Sequence, residues 1–378
     1  MRKLYILCQR YFNEKFDEVT IGGIQTYITN LCQVANKNGL KCVILQYANK
    51  NHRQAFEYGE VIGVDVSGLK HLRHKNKALF LKSQEEFDRD SDLLIYATEG
   101  MAQAESRAYA LGIQHGISWD IESTQPKSRL QNVLGIFEKA LKAVLLTGNA
   151  FNVHKLVCVD YNYLNWYRTQ IKHHETDCVV IPNFTTIAPE MVGKQEKDDT
   201  IKLLFARRFQ PYRGTRLFAA VIKRLLDEHN NLEVTFAGDG PDEAWLKQTM
   251  SCYDNVHFIT YRSDESLAVH ADKHIAVIPT TGSEGTSLSL LEAMSSQCAV
   301  VCTNVGGMTN IVIDHYNGLM VNPDEVDLYG ALKTLIEDRG LRVELAKNGY
   351  QTVKSAFSRE IWENRWTKVL QESACEKI

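Results

Sequence analysis

Two carboxylates, Glu284 and Glu292, stand eight positions apart on either side of a polar turn and a helix start. Ile275 to Ile278 is a short apolar run of the kind a buried parallel strand has. Thr280 to Gly285 is rich in Gly, Ser and Thr, so the chain turns there. From Ser287 to Ser296, Leu288, Leu291 and Met294 fall at helical spacing. Backbone N–H groups of Thr286 to Leu288 open that helix and, with its dipole, favour an anion, a diphosphate foremost. A carboxylate on each side could then accept hydrogen bonds from hydroxyls flanking the diphosphate, a sugar ring on one side and a ribose on the other. Either glutamate alone reads as readily as a solvated loop acid or a surface helix residue. Their pairing around a glycine-rich turn and a helix start favours chemistry.

Further pieces follow at fixed spacing. Ala299 to Cys302 is a β-branched, apolar strand, broken by Gly306-Gly307. Glu284-x7-Glu292 with Ala293-Met294, Val300-Val301, Gly306-Gly307, Asn317-Gly318 and Pro323 resembles the retaining glycosyltransferases of the GT-B fold, the glycogen-synthase-like and mannosyltransferase-like group called family four. The resemblance covers nearly the whole chain and is most specific between residues 201 and 325. It implies an α/β fold of two doubly wound, Rossmann-like domains facing each other across a cleft. Residues 1–188 would form the acceptor-side domain and 189–357 the nucleotide-sugar domain. Residues 358–378, with Trp362, Trp366 and Val369 at helical spacing, would form a helix crossing back to the first domain.

The resemblance also assigns residues. Arg208 and Arg213 match its basic pair, normally Arg and Lys, which neutralises the donor diphosphate. Arg207 stands where a Gly is common, which leaves open which of the adjacent arginines points inward. Glu284 would hold hydroxyls of the transferred sugar and Glu292 the ribose, with Gly285, Thr286, Ser287 and Leu288 on the diphosphate. Gly238, in the turn Gly238-Asp239-Gly240-Pro241, would allow close approach of the nucleotide, and backbone groups at Tyr261 and Arg262 would meet the base. Thr260 replaces the usual Gly beside them. In the first half, Gly22-Gly23 would let the backbone approach the donor, and His115 at a strand end would face the transferred sugar. Asp120 would face the acceptor. Other departures are Asp160 for Ser, Phe184 for Gly, and Gln297 and Ala299 for Gly and Pro.

The elements that must position these groups are legible as alternating strands and helices. Leu4 to Cys8 is followed by Gly22-Gly23, a helix with Ile24, Tyr27, Ile28, Leu31 and Val34 on one stripe, and a strand from Cys42 to Gln46. That is a doubly wound unit, though without the G-x-G-x-x-G of a dinucleotide site. Ile201 to Ala206 opens a second such unit after the polar stretch MVGKQEKDDT, which suits a linker. Val133 to Leu146 reads as an apolar helix. Lys70, His71, Arg73, His74, Lys75 and Lys77 cluster and read as a solvated face or as a surface for anionic lipid.

Composition narrows the classes. At 378 residues the chain suits two domains. A net charge of −3 argues against a nucleic-acid binder held by bulk electrostatics. No apolar run approaches the roughly 18–20 residues needed to cross a bilayer, and the start MRKLYILCQRYF reads as a strand and not a signal peptide. Nine scattered cysteines without a C-x-x-C pair read as reduced core thiols of a cytoplasmic protein. Asp88, Asp90 and Asp92 precede a strand where a metal-binding D-x-D would follow one, so no metal site is expected, and no cofactor.

What the resemblance implies is retaining transfer of a hexose from a UDP- or GDP-type sugar to a glycan or lipid-linked acceptor, in a cytoplasmic protein at the inner face of a membrane. The leaving phosphate would assist deprotonation of the acceptor on the same face, and neither glutamate is assigned as nucleophile. Surface polysaccharide or lipopolysaccharide synthesis is the setting by analogy. A phosphorylase or nucleotide-sugar epimerase on the same scaffold, or a silent sugar-nucleotide-binding subunit, are the rival readings.

Overall fold

The computed structural model describes residues 2–20, 22–117, 119, 129–169, 177–190, 200–282 and 284–375. The chain forms two compact units. The first comprises Met1–His115, Asn132–Pro182 and Glu360–Ile378, the second Gly116–Gln131 and Asn183–Arg359.

In the second unit, uninterrupted apolar runs form strands buried on both faces, as a covered parallel sheet requires. These are β9 (Ile201–Ala206), β10 (Leu232–Ala237), β12 (Ile275–Ile278) and β13 (Ala299–Thr303). The half-exposed β11 (Val256–Ile259) and short β14 (Leu319–Val321) close the edges. All pair in parallel in the order β11-β10-β9-β12-β13-β14. Renumbered from β9, this is the 3-2-1-4-5-6 order of doubly wound folds. Phe205 of β9, Phe236 of β10 and Phe218 of α5 (Thr215–Glu228) pack with ring centroids 5.4 to 5.8 Å apart and pin the helix to the sheet. Helices α8 (Leu288–Ser295), α9 (Glu325–Glu337) and α10 (Arg339–Ala356) complete the covering layers.

The first unit has an eight-stranded sheet in the order β3-β4-β2-β1-β5-β6-β7-β8. Its strands are β1 (Lys3–Leu7), β2 (Lys41–Ala48), β3 (His52–Phe56), β4 (Gly59–Asp65), β5 (Leu93–Tyr96), β6 (Ala110–Gln114), β7 (Lys155–Cys158) and β8 (Asp177–Val180). Only β3 is antiparallel, and it lies at the edge. Helices α1 (Gly23–Lys37), α2 (Leu72–Gln84), α3 (Arg129–Ala150) and α4 (Tyr161–Arg168) connect the strands. The last helix, α11 (Arg359–Cys375), belongs to this unit: Trp366 Nε1 donates to Tyr27 Oη of α1 at 2.8 Å, and Lys37 pairs with Glu363 at 2.5 Å.

The units divide at His115/Gly116, Gln131/Asn132, Pro182/Asn183 and Arg359/Glu360, whereas the sequence predicts single boundaries at 188/189 and 357/358, a few residues from the last two. The cause is local. Thr185 pairs with Ser358, Tyr350 Oη donates to Ala188 O at 3.1 Å, and Ala188 N donates to Ser295 Oγ at 2.9 Å. These bonds tie residues 185–188 to the second unit before the polar linker begins.

Helix α3 does not bury its apolar stripe: Val133, Leu134, Ile136, Phe137, Leu141, Val144 and Leu145 are all exposed, while Ala143, Thr147 and Ala150 face inward. The aspartates before β5 are loop residues that accept from backbone amides of their own turn and of β1. Asp92 Oδ1 accepts Lys3 N at 2.8 Å, Asp92 Oδ2 accepts Asp88 N, and Asp88 Oδ1 accepts Asp90 N.

Candidate active site

In a doubly wound sheet, ligands bind beyond the carboxyl ends of the strands where the strand order reverses. In the second unit that point lies between β9 and β12. Two segments leave the sheet there, Arg207–Gly214 after β9 and Pro279–Ser287 after β12, and they carry the expected residues.

Their backbones meet through glycines. Gly214 has φ 79°, and a Cβ on it would lie 1.8 Å from the carbonyl oxygen of Pro279. Thr281 N donates to Tyr212 O at 2.9 Å. On the other flank, Gly306 has φ 58° and a Cβ there would lie 2.0 Å from Glu284 O, while Gly307 N donates to that same oxygen at 2.9 Å. Only a residue without a side chain allows this approach. The Gly-Gly turn thus serves as a floor under Glu284 and Gly285.

The Glu284 carboxylate is buried and accepts three hydrogen bonds on one oxygen. Arg207 Nη2 and Arg213 Nη1 both donate to Oε2, and Thr280 Oγ1 donates to it at 3.0 Å. Arg207 Nη1 also reaches Thr280 Oγ1, and Thr303 Oγ1 donates to Thr280 O at 2.5 Å, fixing that threonine from β13. Burial alone would raise the Glu284 carboxyl, but the two guanidinium groups outweigh it and hold it below the usual carboxylate range. Arg213 lies over the Tyr212 ring, 5.0 Å from its centroid.

Of the adjacent arginines it is Arg207 that points inward, and Arg208 is exposed. Sequence comparison could not settle this, because Arg207 occupies a glycine position and the alternation of a strand breaks down at its end. The signal available was the third arginine itself: a cation at the end of a buried strand needs an anion, and Glu284 was the candidate. Thr280 was missed for want of any signal beyond a polar residue in a turn.

Eight positions on, Glu292 lies on α8 and is half-buried. Loss of solvation pushes its carboxyl up to about 7, against a partial offset from the Ser266 hydroxyl, and its charge raises Tyr261. Glu292, Ser266 and Tyr261 therefore form a second polar group, distinct from the Glu284 cluster. Between them, Ser287 precedes the first turn of α8 with its Oγ buried and, among the described residues, without a hydrogen-bond partner. Thr286 O accepts Asn183 Nδ2 at 2.7 Å, which orients the turn at Gly285–Leu288.

Gly238 has φ 146° and seats its backbone on Arg207, where a Cβ would lie 2.2 Å from the carbonyl oxygen. Its place is thus beside the arginine cluster. Arg262 is occupied: its amide donates to Glu265 Oε2 at 2.7 Å and its side chain pairs with Asp264 at 3.2 Å. Of the two residues expected at the base, Tyr261 lies near Glu292, and the Arg262 amide is already engaged.

In the first unit, Gly22 caps and Gly23 opens α1 after β1. His115 follows β6, and its Nε2 lies 2.9 Å from Ala97 O, the residue after β5. A carbonyl only accepts, so Nε2 carries the proton and Nδ1 the lone pair. Burial lowers the imidazole to about 4, so it is neutral at physiological pH, and its ring meets Tyr27 edge-on at 5.3 Å. His115 is thus set as an acceptor through Nδ1. Asp120 lies outside the described residues. Among the described residues no group of three His, Cys, Asp or Glu could hold a metal ion.

This arrangement can hold a diphosphate on a helix start and arginines, with a charged acid at one end and a partly desolvated acid at the other. Residues 188–352 match the family described as glycosyl transferases group 1. Sulfoquinovosyl transferase SQD2 of Arabidopsis thaliana is 29% identical over 163 residues, 42% of this chain and 31% of that protein. The matched stretches span less than half the length of the first curated relatives. Sucrose-phosphate synthase from Thermosynechococcus elongatus shares the fold with a TM-score of 0.76 at 16% identity, over 98% of this chain and 99% of that one. HepE from Anabaena, solved in complex with UDP, gives 0.67 at 15% identity over 98% and 100%. The second unit thus carries the match to the group 1 glycosyltransferases, over residues 188–352, and the chain as a whole has the GT-B fold.

Proposed function

We propose that this protein transfers a hexose from a nucleoside diphosphate sugar to a hydroxyl of a glycan or lipid-linked acceptor, with retention at the anomeric carbon. The observation that carries the reading is the Glu284 carboxylate held on Arg207, Arg213 and Thr280 at the switch point of the second sheet. The bond from the anomeric carbon to the β-phosphate oxygen breaks, and its electron pair stays on the diphosphate. Arg208, Arg213 and the turn at Gly285–Leu288 stabilise that charge, each donor contributing about 2–4 kcal/mol. The acceptor oxygen bonds to the same face of the sugar and passes its proton to the departing phosphate. Glu284 holds sugar hydroxyls, Glu292 the ribose, and Tyr261 lies toward the base. His115 Nδ1 accepts from a sugar hydroxyl. The HepE complex favours UDP as the nucleotide to test first.

An anionic membrane surface is the proposed setting. The exposed apolar face of α3 supports it, as does the basic start of α2, where Lys70, His71, Arg73 and His74 are exposed. Gly100 O accepts from Asn76 Nδ2 of α2 at 3.3 Å and from Asn149 Nδ2 of α3 at 3.4 Å, so the two helices flank one turn. Among the described residues no helix is long and apolar enough to cross a membrane.

A thermal-shift panel of UDP, GDP, ADP and their sugars tests the donor, since a ligand of the folded state raises the melting midpoint. The expected result is one base standing out. Glu284→Ala and Arg208→Ala are each expected to lower transfer by about 100-fold or more with the fold retained. Full activity in both would remove the proposed site, and nucleotide release that needs no acceptor would favour an epimerase.

A further inference from the structure

The three cationic and polar donors on Glu284 Oε2 are not equivalent. The Arg207 side chain is 4% exposed and that of Arg213 is 27% exposed. Arg207 is also clamped at its second nitrogen by Thr280, which is itself fixed by Thr303. The Gly238 backbone packs on its carbonyl. Among the described residues Arg213 is otherwise held only by Tyr212, whose ring it overlies at 5.0 Å from the centroid. Glu284 Oε1 accepts no hydrogen bond among the described residues, whereas Oε2 accepts three.

We infer that Arg207 is a positioning residue: it locks Glu284 by Oε2 and leaves Oε1 to a donor-sugar hydroxyl, while Arg213 turns to the diphosphate. This rests on the reading of Glu284 as the sugar-holding acid. Two arginines on one carboxylate oxygen would be redundant for holding it, but not for handing one of them over. When a diphosphate arrives, the outer arginine can exchange a carboxylate for a phosphate, and the inner one keeps Glu284 ionised and aimed. A chain with glycine at position 207 would have to leave the carboxylate unsupported as its second cation moved away.

The groups facing this carboxylate are few. Arg207 comes from the end of β9, Arg213 and Tyr212 from the turn before α5, and Thr280 from the end of β12, with Cys302 of β13 close enough to feel Arg207. Gly306 and Gly307 supply only backbone. Among the described residues, removing Arg207 therefore leaves Arg213 as the one cation beside Glu284.

The test compares Arg207→Gln, Arg207→Lys and Glu284→Gln by calorimetry with a nucleoside diphosphate and its sugar. UDP with UDP-glucose is the first probe, then GDP with GDP-mannose. In wild type the sugar is expected to add affinity over the bare nucleotide, and a wild type that shows no such increment overturns the inference. Arg207→Gln is expected to lose that increment and about 10–100-fold in kcat, while its affinity for the bare nucleotide stays within about 2-fold. Arg207→Lys, which keeps charge but one anchor, should recover part. Equal weakening of nucleotide and nucleotide sugar would make Arg207 a diphosphate ligand and overturn the inference, as would unchanged binding of both. If Glu284→Gln itself keeps the full increment, the reading of the site fails separately.

A second measurement needs no donor. Carbon-13 NMR of labelled glutamate carboxyls follows Glu284 titration in the free protein. Its midpoint should rise in Arg207→Gln, and in Thr280→Val to a lesser degree. No rise in either overturns the inference, including where Arg207→Gln folds poorly.

Discussion

Desolvation acts on both acids of the site, and only one of them is compensated. Glu284 has two arginines and stays ionised; Glu292 has a hydroxyl nearby and is raised to about 7. A folded-state value above the ordinary 4.5 means the native protein holds this proton more tightly than the unfolded chain does. Stability therefore falls as pH rises from about 4.5 to 7 and stays low above it. Glu292→Gln should remove that fall, making the variant more stable than wild type at pH 8 by about 1–3 kcal/mol and little different at pH 4.5. Urea unfolding at the two pH values checks it. On the role proposed for Glu292, the same substitution should weaken nucleotide binding by removing an ionised acceptor for ribose hydroxyls. At this scale the pair Glu284 and Glu292 was legible in the sequence, because the two acids bracket a recognisable turn. It was not informative about Arg207 against Arg208, since the choice depends on the last φ and ψ of a strand and not on residue type.

Gly306-Gly307 was legible as a strand break, but its service to Glu284 follows only from the close approach of two loops. Gly306→Ala would place a methyl group against a carbonyl at a left-handed φ of 58°. The expected cost is about 1–3 kcal/mol of stability, with a loss of kcat/KM of about 10-fold or more as Glu284 shifts. Thermal melts and steady-state kinetics measure both. Helix α3 teaches the complementary lesson. Its 3.6-residue apolar pattern was plain in the sequence, yet periodicity locates a stripe without saying what it faces. Here Phe137 and Val144 are 69% and 68% exposed. A Phe137→Ser, Leu141→Ser, Val144→Ser variant should keep its melting midpoint and lose co-sedimentation with vesicles containing anionic lipid. Retained sedimentation would shift the membrane contact to the basic start of α2. High salt should weaken that electrostatic part and spare the apolar part.

For the whole molecule, two doubly wound units follow from the succession of apolar runs and glycine turns, and both strand orders agree with that reading. The return of the last helix is written in Trp362 and Trp366, which meet Tyr27 edge-on at 5.2 and 6.1 Å. Tryptophans at helical spacing announce burial, but their partner lies more than three hundred residues away and cannot be read from spacing. Trp366→Ala should cost the first unit about 3–5 kcal/mol. Amide exchange should quicken in β1 and α1 while β9 and β10 hold their protection. This one indole also sets a timetable for synthesis. The amino-terminal segments that normally settle first as a chain leaves the ribosome must here wait, with Tyr27 uncovered, until residue 366 emerges. The middle of the polypeptide can finish folding before its beginning does.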